Sequence, residues 1–434
     1  MNFDHNNSAI WHPFTQMKTA LPPIEIVSAK DTLLFDKNGK SYIDCNSSWW
    51  VNVHGHNNTY IKQAINDQFQ ILDHVLLAGI THPKAIELSQ KIIQILPEKF
   101  SKVFFSDNGS TAVEVALKMT IQFWHNKKIK KHRILALEGA YHGDTFGAMS
   151  LGQRGYFNKP FEHLFFETDF LDFPTNDNLN ETLKKAEELF ASGEFAGVIL
   201  EPLVQGSAGM RMYTVEWLNQ IMELARKHDV IIIFDEIMTG WGRTGALFAM
   251  NHCNSTPDIV CLSKGLTGGV LPMGLTITKE YIFEAFLGDD ISTALLHGHS
   301  YTGNPLACAA ACASIDLFLS NITKDKIDNL TLKHLNFVDN IKLHNYKSVK
   351  EIRQFGTILA IELAINGESS YFNSLRETII SFFLERGMML RPLGNVIFLN
   401  PPYCITEDEL NHCYHSIRSF IEQYDDKKTC ETNF

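Results

Sequence analysis

Five short runs of almost unbroken apolar, β-prone residues recur through the middle of the chain: KVFFS at 102–106, RILAL at 133–137, GVILE at 197–201, VIIIFD at 230–235 and DIVCL at 258–262. A strand with one wet face alternates polar and apolar side chains, so strands that do not alternate are covered on both faces. Helix-length patterns stand between them, STAVEVALKMTIQFW at 110–124 and TVEWLNQIMELARKHD at 214–229. This alternation predicts an α/β fold, a mainly parallel sheet with crossover helices. The ends of the chain read differently. LFDKNGKSYID predicts a hairpin turning at Asn38-Gly39. The final hundred residues combine a helical stretch, NITKDKIDNLTLKHL, with strands near 356–363 and 395–400. The expected organisation is a large central domain over 61–325 and a smaller α+β domain assembled from 1–60 and 326–434.

Charge and composition exclude several classes of function. The formal charge of −11 is spread along the chain, and its one basic cluster, Asn126 to Arg133, is short, which argues against nucleic acid as a partner. The beginning, MNFDHNNSAIWHPF, has no basic segment followed by an apolar run, and no stretch approaches the length of a membrane span. Eight cysteines without a CxxC pair, Cys308 and Cys312 among alanines, read as reduced core thiols. A cytoplasmic protein with no membrane partner is expected. His54, His56, His297 and His299 occur in two HGH stretches, but with no HExxH or closed ligand set no metal is expected. A nicotinamide-dependent oxidoreductase lacks its GxGxxG after an early strand.

The chemistry is concentrated where apolar strands end. Asp235 closes VIIIFD just before a glycine-broken turn, and ligands of open α/β sheets gather at the carboxyl ends of strands. Lys264 stands just beyond the next strand, in SKGLTGG. An amine in a partly dry pocket can lose its proton and capture an aldehyde. Pyridoxal phosphate needs such an amine at one end of its ring and a carboxylate at the pyridine nitrogen. Asn108-Gly109-Ser110, opening the helix at 110–124, offers backbone N–H groups to a phosphate. Tyr141 follows a strand and can stack on a flat ring, with His142, Gly143 and Asp144 forming a polar corner. Glu236, facing another way on an extended chain, reads as a local structural residue.

These stretches carry a resemblance. YHGDTFGAMS, EPLVQGSAGM, FDEIMTGWGRTG, LSKGLTGG and HGHSYTGNPLACAA resemble, across nearly the whole chain, the class III, fold type I pyridoxal phosphate aminotransferases. The resemblance implies a seven-stranded, mainly parallel sheet and a homodimer whose active sites lie between subunits. It implies that Lys264 is the cofactor-tethering lysine and Asp235 the partner of the pyridine nitrogen. Gly109 and Ser110 resemble the phosphate-binding pair, and Tyr141 the ring-stacking residue. Ser300, in GHSYTGNP with Gly298, corresponds to the hydroxyl that reaches the partner's phosphate. Phe14, Trp49, Tyr141, Asp144, Arg243 and Gly298 match substrate-pocket positions, and Arg391 the cation for a substrate carboxylate.

WHPFTQMK, SSWWVNVHGH, GITHPKAIEL and RPLGNVIFLNPPY are similar to the biotin-pathway branch of that family, which makes 7,8-diaminononanoate from 8-amino-7-oxononanoate. That likeness implies small-molecule partners, a keto acid acceptor and an amino donor. S-adenosyl-L-methionine is the expected donor, and the Trp49-Trp50 pair is similar to its users. Phe14 stands where those users carry tyrosine, and His299-Ser300 where they carry proline-threonine. The PFTQMK, NVHGH and GHSYTGN stretches are shared with a group that uses L-lysine. Lysine therefore stays open as the alternative donor, and another class III omega-aminotransferase as the alternative enzyme.

Overall fold

The computed structural model describes residues 9–97, 99–365, 373 and 375–431. Three strands, β1 (Ile26–Lys30), β2 (Leu33–Asp36) and β3 (Ser41–Asp44), form an antiparallel meander. Its second turn is the expected one at Asn38-Gly39. Gly39 takes φ +82°, and the Asp36 carboxylate accepts the backbone N–H groups of Asn38 and Lys40 at 2.8 and 2.9 Å.

The central sheet follows. Its strands are β4 (Phe100–Ser106), β5 (Arg133–Leu137), β6 (Asp169–Leu171) and β7 (Phe195–Leu200), then, beyond a small ribbon of β8 (Val204–Gln205) and β9 (Arg211–Met212), β10 (Ile231–Asp235), β11 (Ile259–Leu262) and β12 (Gly274–Lys279). Their order across the sheet is β4-β12-β11-β10-β7-β5-β6. All five apolar runs are strands of this sheet. β7 and β10 are buried at every position, as strands covered on both faces must be. β12 is the exception to parallel pairing, running antiparallel to both β11 and β4. Helices Gly109–Asn126 and Val215–Lys227 lie where the periodicity predicts them. The helix Pro305–Phe318 is buried along nearly its whole length, Cys308 and Cys312 included. Its alanines allow close approach to the helices Thr59–Phe69 and Pro83–Ile95.

The two ends of the chain meet. β13 (Val349–Phe355) and β14 (Ile358–Leu363) pair, β15 (Met388–Met389) lies parallel to β3, and β16 (Val396–Leu399) pairs with β14. The helix Asn321–Lys342 runs unbroken through the boundary expected near 325, and the helix Thr59–Phe69 begins at the one expected near 60. Among the described residues no single helix is long and apolar enough to cross a membrane.

Candidate active site

Parallel strands end on one edge of a sheet, so the loops after β4, β5, β7, β10 and β11 are brought together there. They enclose a cavity of about 650 Å³ lined by Gly109, Ser110, Tyr141, Asp144, Glu201, Asp235 and Lys264, among others. Because β12 runs the other way, its beginning reaches the same edge, and Leu271, Pro272 and Met273 close the cavity there.

Asp235 is the last residue of β10 and is 4% exposed. Its Oδ1 accepts the Ile237 N–H at 3.1 Å, and its Oδ2 lies 2.7 Å from Nδ1 of the buried His142. A carboxylate can only accept, so Nδ1 carries the proton of this bond. Lys264 holds a left-handed backbone, φ 46°, with its ammonium 4.9 Å from the centre of the Trp50 ring. Burial pushes its pKa below the ordinary lysine value, with Arg243 adding to the push and the charges of Asp235 and Glu201 opposing it. Glu201 follows β7 and accepts the N–H groups of Tyr141 and Gly206 at 3.1 and 3.0 Å. Burial pushes its carboxyl up to about 7, Asp235 adds to the rise, and His142 counters it. Glu236 faces away from the cavity. It accepts from the Thr239 hydroxyl and from the Ala249 and Met250 N–H groups at 3.1, 2.8 and 2.7 Å, a structural cap of the turn at 249–252.

The helix Gly109–Asn126 begins at the opposite wall. Asn108 caps it, accepting the Thr111 N–H at 2.9 Å. Ser110 Oγ lies 2.7 Å from the Thr145 hydroxyl and accepts the Thr145 N–H at 3.0 Å. Close approach explains the glycines here: a Cβ on Gly109 would stand 2.9 Å from the Ile237 side chain, and one on Gly143, φ +123°, 2.2 Å from Ser110 Oγ. Gly274 is tighter still against backbone, its added Cβ only 2.2 Å from the Asn108 carbonyl oxygen. Gly274→Ala is therefore expected to displace the start of this helix, costing roughly 1–3 kcal/mol of stability and weakening pyridoxal phosphate binding more than pyridoxal binding. Denaturant unfolding and titration of the apoprotein with each compound measure both effects. The whole set fits pyridoxal phosphate: a helix start lining the cavity, an anchored buried carboxylate, and an amine with a lowered pKa.

Other predicted residues lie outside this cavity lining. Phe14 packs its ring 5.5 Å from that of Trp49 and 6.1 Å from that of Phe157, and the Arg391 guanidinium sits 4.8 Å over the Trp49 ring. These form an aromatic wall with a cation against it, continuous in sequence with Trp50, which does line the cavity. Within the lining, Tyr141 donates its hydroxyl to Asp144 Oδ2 at 3.1 Å. Gly298 and Ser300 are exposed, on a segment beside Asp73 and His74. Arg243 does not line the cavity, although its charge reaches Lys264. It is 1% exposed and donates to the carbonyls of Pro401, Asn400 and Trp50 at 3.0, 3.4 and 3.4 Å. Arg243 thus fastens the loop after β10 to the segment after β16. Sequence reasoning passed over Glu201, although it ends an apolar strand just as Asp235 does. It also left His142 without its bond to Asp235, a contact between loops that no local pattern encodes.

The comparisons with known proteins agree with this geometry. The family profile of Aminotransferase class-III matches residues 15–421. An adenosylmethionine-8-amino-7-oxononanoate aminotransferase of Synechococcus elongatus is 44% identical over 422 residues, covering 95% of this chain and 98% of that protein. The crystal structure of the enzyme of that name from Methanocaldococcus jannaschii superposes with a TM-score of 0.87 at 35% identity, covering 95% of this chain and 97% of that one. An amine transaminase from an uncultivated Pseudomonas species, in its PLP-bound form, superposes with a TM-score of 0.90 at 27% identity, covering 97% of this chain and 100% of its own. With a match over almost its full length and relatives of this identity, the chain belongs to the class-III aminotransferases.

Proposed function

We propose that this chain is a pyridoxal phosphate-dependent transaminase that converts 8-amino-7-oxononanoate to 7,8-diaminononanoate in biotin biosynthesis, with S-adenosyl-L-methionine as amino donor. The observation that carries the acceptor is the wall of Phe14 and Trp49 with Arg391 against it. Apolar rings accommodate an aliphatic chain, and a guanidinium fork suits its terminal carboxylate. The full-length likeness to relatives named for this reaction supports the same choice.

Pyridoxal phosphate supplies an aldehyde that captures amines and a ring that accepts the electrons left when a Cα–H bond breaks. The chain's own groups do the rest. The N–H groups at Gly109 and Ser110 would hold the phosphate at the helix start, and Tyr141, its hydroxyl donating to Asp144 Oδ2 at 3.1 Å, would bind the ring. Asp235, held by His142 and Ile237, would keep a proton on the pyridine nitrogen. Lys264 Nζ, its pKa lowered by burial, takes the Cα proton of the donor, and Trp50 shields that amine from water. Gly298 and Ser300, exposed beside Asp73 and away from their own cavity, would serve the site of a second subunit, so a homodimer with shared active sites belongs to this proposal. So does a cytoplasmic location.

A second reading keeps the acceptor and changes the donor to L-lysine. It is favoured by Phe14, whose ring is committed to Trp49 and Phe157 and has no hydroxyl to offer a polar donor. Incubating the purified protein with 8-amino-7-oxononanoate and each donor separately decides between them. Diaminononanoate formed with adenosylmethionine supports the proposal, and product with lysine alone selects the second reading. No product with either donor overturns the acceptor.

A further inference from the structure

The substrate wall stands on strained backbone. Ser47, Ser48 and Trp50 all hold positive φ, 49°, 62° and 65°, a region that L side chains avoid. Ser48 combines φ 62° with ψ −77°, the rare and strained form of the γ-turn. None of the three is glycine, so the conformation persists only where surrounding groups impose it. Asp44, 1% exposed, is the group that grips Ser48. Its Oδ1 accepts the Ser48 N–H at 2.7 Å, and its Oδ2 accepts the Ser48 hydroxyl at 2.9 Å. The same Oδ2 lies 2.8 Å from His56 Nε2, and His56 is tied in turn to the backbone of Asp31 at both its N–H and its carbonyl. Ser47 adds a second anchor, donating its hydroxyl to the Asn400 carbonyl at 2.8 Å.

The strain sorts two adjacent indoles. Trp50 turns inward and is 6% exposed, with its ring beneath the Lys264 amine. Trp49 turns outward and is 42% exposed, with its ring between Phe14 and the Arg391 guanidinium. Neighbouring Asn46 ties down the backbone of Arg391, its Oδ1 accepting the Arg391 backbone N–H at 2.7 Å. A relaxed backbone at Ser48 would release Trp49, whereas Trp50 keeps its backbone bonds to the Asn46 carbonyl at 2.9 Å and to Arg243 at 3.4 Å.

We infer that Asp44 is a positioning residue for the amino acceptor: by clamping Ser48 in its strained backbone it holds Trp49 against Arg391 and so sets the affinity of the site for a long aliphatic carboxylic acid. This rests on the proposed acceptor. Asp44 is not among the residues lining the cofactor cavity, which separates its effect from that of Lys264 and Asp235.

Steady-state and half-reaction kinetics of the holoenzyme test the clamp. Asp44→Ala is expected to raise KM for 8-amino-7-oxononanoate about tenfold or more, the scale of losing hydrogen bonds to a charged group. The donor half-reaction, followed by the visible absorption of the cofactor, stays within about twofold. Adding Ser48→Gly to Asp44→Ala brings KM back down, because glycine accepts positive φ without a clamp. Ser48→Val, with Asp44 intact, raises KM as Asp44→Ala does, since a β-branched residue is least at home there. An unchanged KM, or an equal loss in both half-reactions, overturns the inference. If Asp44→Ala does not fold, the Ser48→Gly and Ser48→Val pair decides alone, and equal KM values overturn it. A wild type that does not aminate this acceptor refutes the proposed function instead. The clamp is then decided by hydrogen–deuterium exchange, with residues 46–52 expected to exchange about tenfold faster in Asp44→Ala against unchanged central strands, and equal exchange overturning it.

Discussion

Lys264→Ala is expected to abolish transamination, lowering turnover by roughly 10⁴-fold or more, because one side chain both tethers the cofactor and moves the proton. The variant should fold. The Lys264 amine lies 4.9 Å from the centre of the Trp50 ring, and its removal relieves a buried ammonium whose desolvation already depresses its pKa. Thermal unfolding of the apoprotein should shift by only a few degrees, while the visible absorption of the lysine-bound cofactor disappears. The lowered pKa has its own consequence. The free amine is the capturing form, so pyridoxal capture by wild-type apoprotein should reach its plateau at a pH below the ordinary lysine value of 10.5. Normal transamination by Lys264→Ala would remove this residue from the mechanism.

Asp235→Asn should lower turnover by roughly 10²–10³-fold, the scale of removing one preorganised electrostatic partner, while the cofactor still binds. The amide oxygen can keep the Ile237 N–H, but the amide nitrogen then faces His142 Nδ1 as a second donor. His142 can accept from that amide only by shifting its proton to Nε2, which is buried without a partner among the described residues, so the charge is lost and the bond survives only at the cost of a stranded N–H. Asp235 also holds the Lys264 pKa up. Its neutralisation should therefore move the pyridoxal-capture profile to lower pH even as turnover falls. These opposite changes distinguish an electrostatic role from general damage to the site, and an unchanged turnover contradicts it.

The buried parallel strands were legible because burial on both faces writes itself into unbroken apolar runs. β12 was not: GLTITK alternates, carries a glycine, and belongs to the sheet only through antiparallel neighbours on either side. Asp235 and Lys264 could be placed because each ends or follows such a run. Arg243 could not, since proximity in sequence does not fix direction. Gly242 and Gly245, at φ 88° and 87°, turn its loop towards Gly356 and Pro401, so the guanidinium binds carbonyls of the chain's other end. The role proposed for Gly298 and Ser300 lies between two chains, and no pattern within one chain places its partner.

The pairing of β15 with β3 and the grip of Arg243 on Trp50 and Pro401 bear on how this enzyme can be cut. The sheet that carries Asp235 and Lys264 is built from the middle of the sequence, yet Trp50, which covers the amine, comes from the first segment, where its N–H is held by the Asn46 carbonyl, and its ring packs against Phe398 of the last. A fragment trimmed to the central sheet would keep the chemical groups and lose the roof over them. Reconstitution from pieces should therefore require the first and last segments together, and each alone should leave an open, water-filled site.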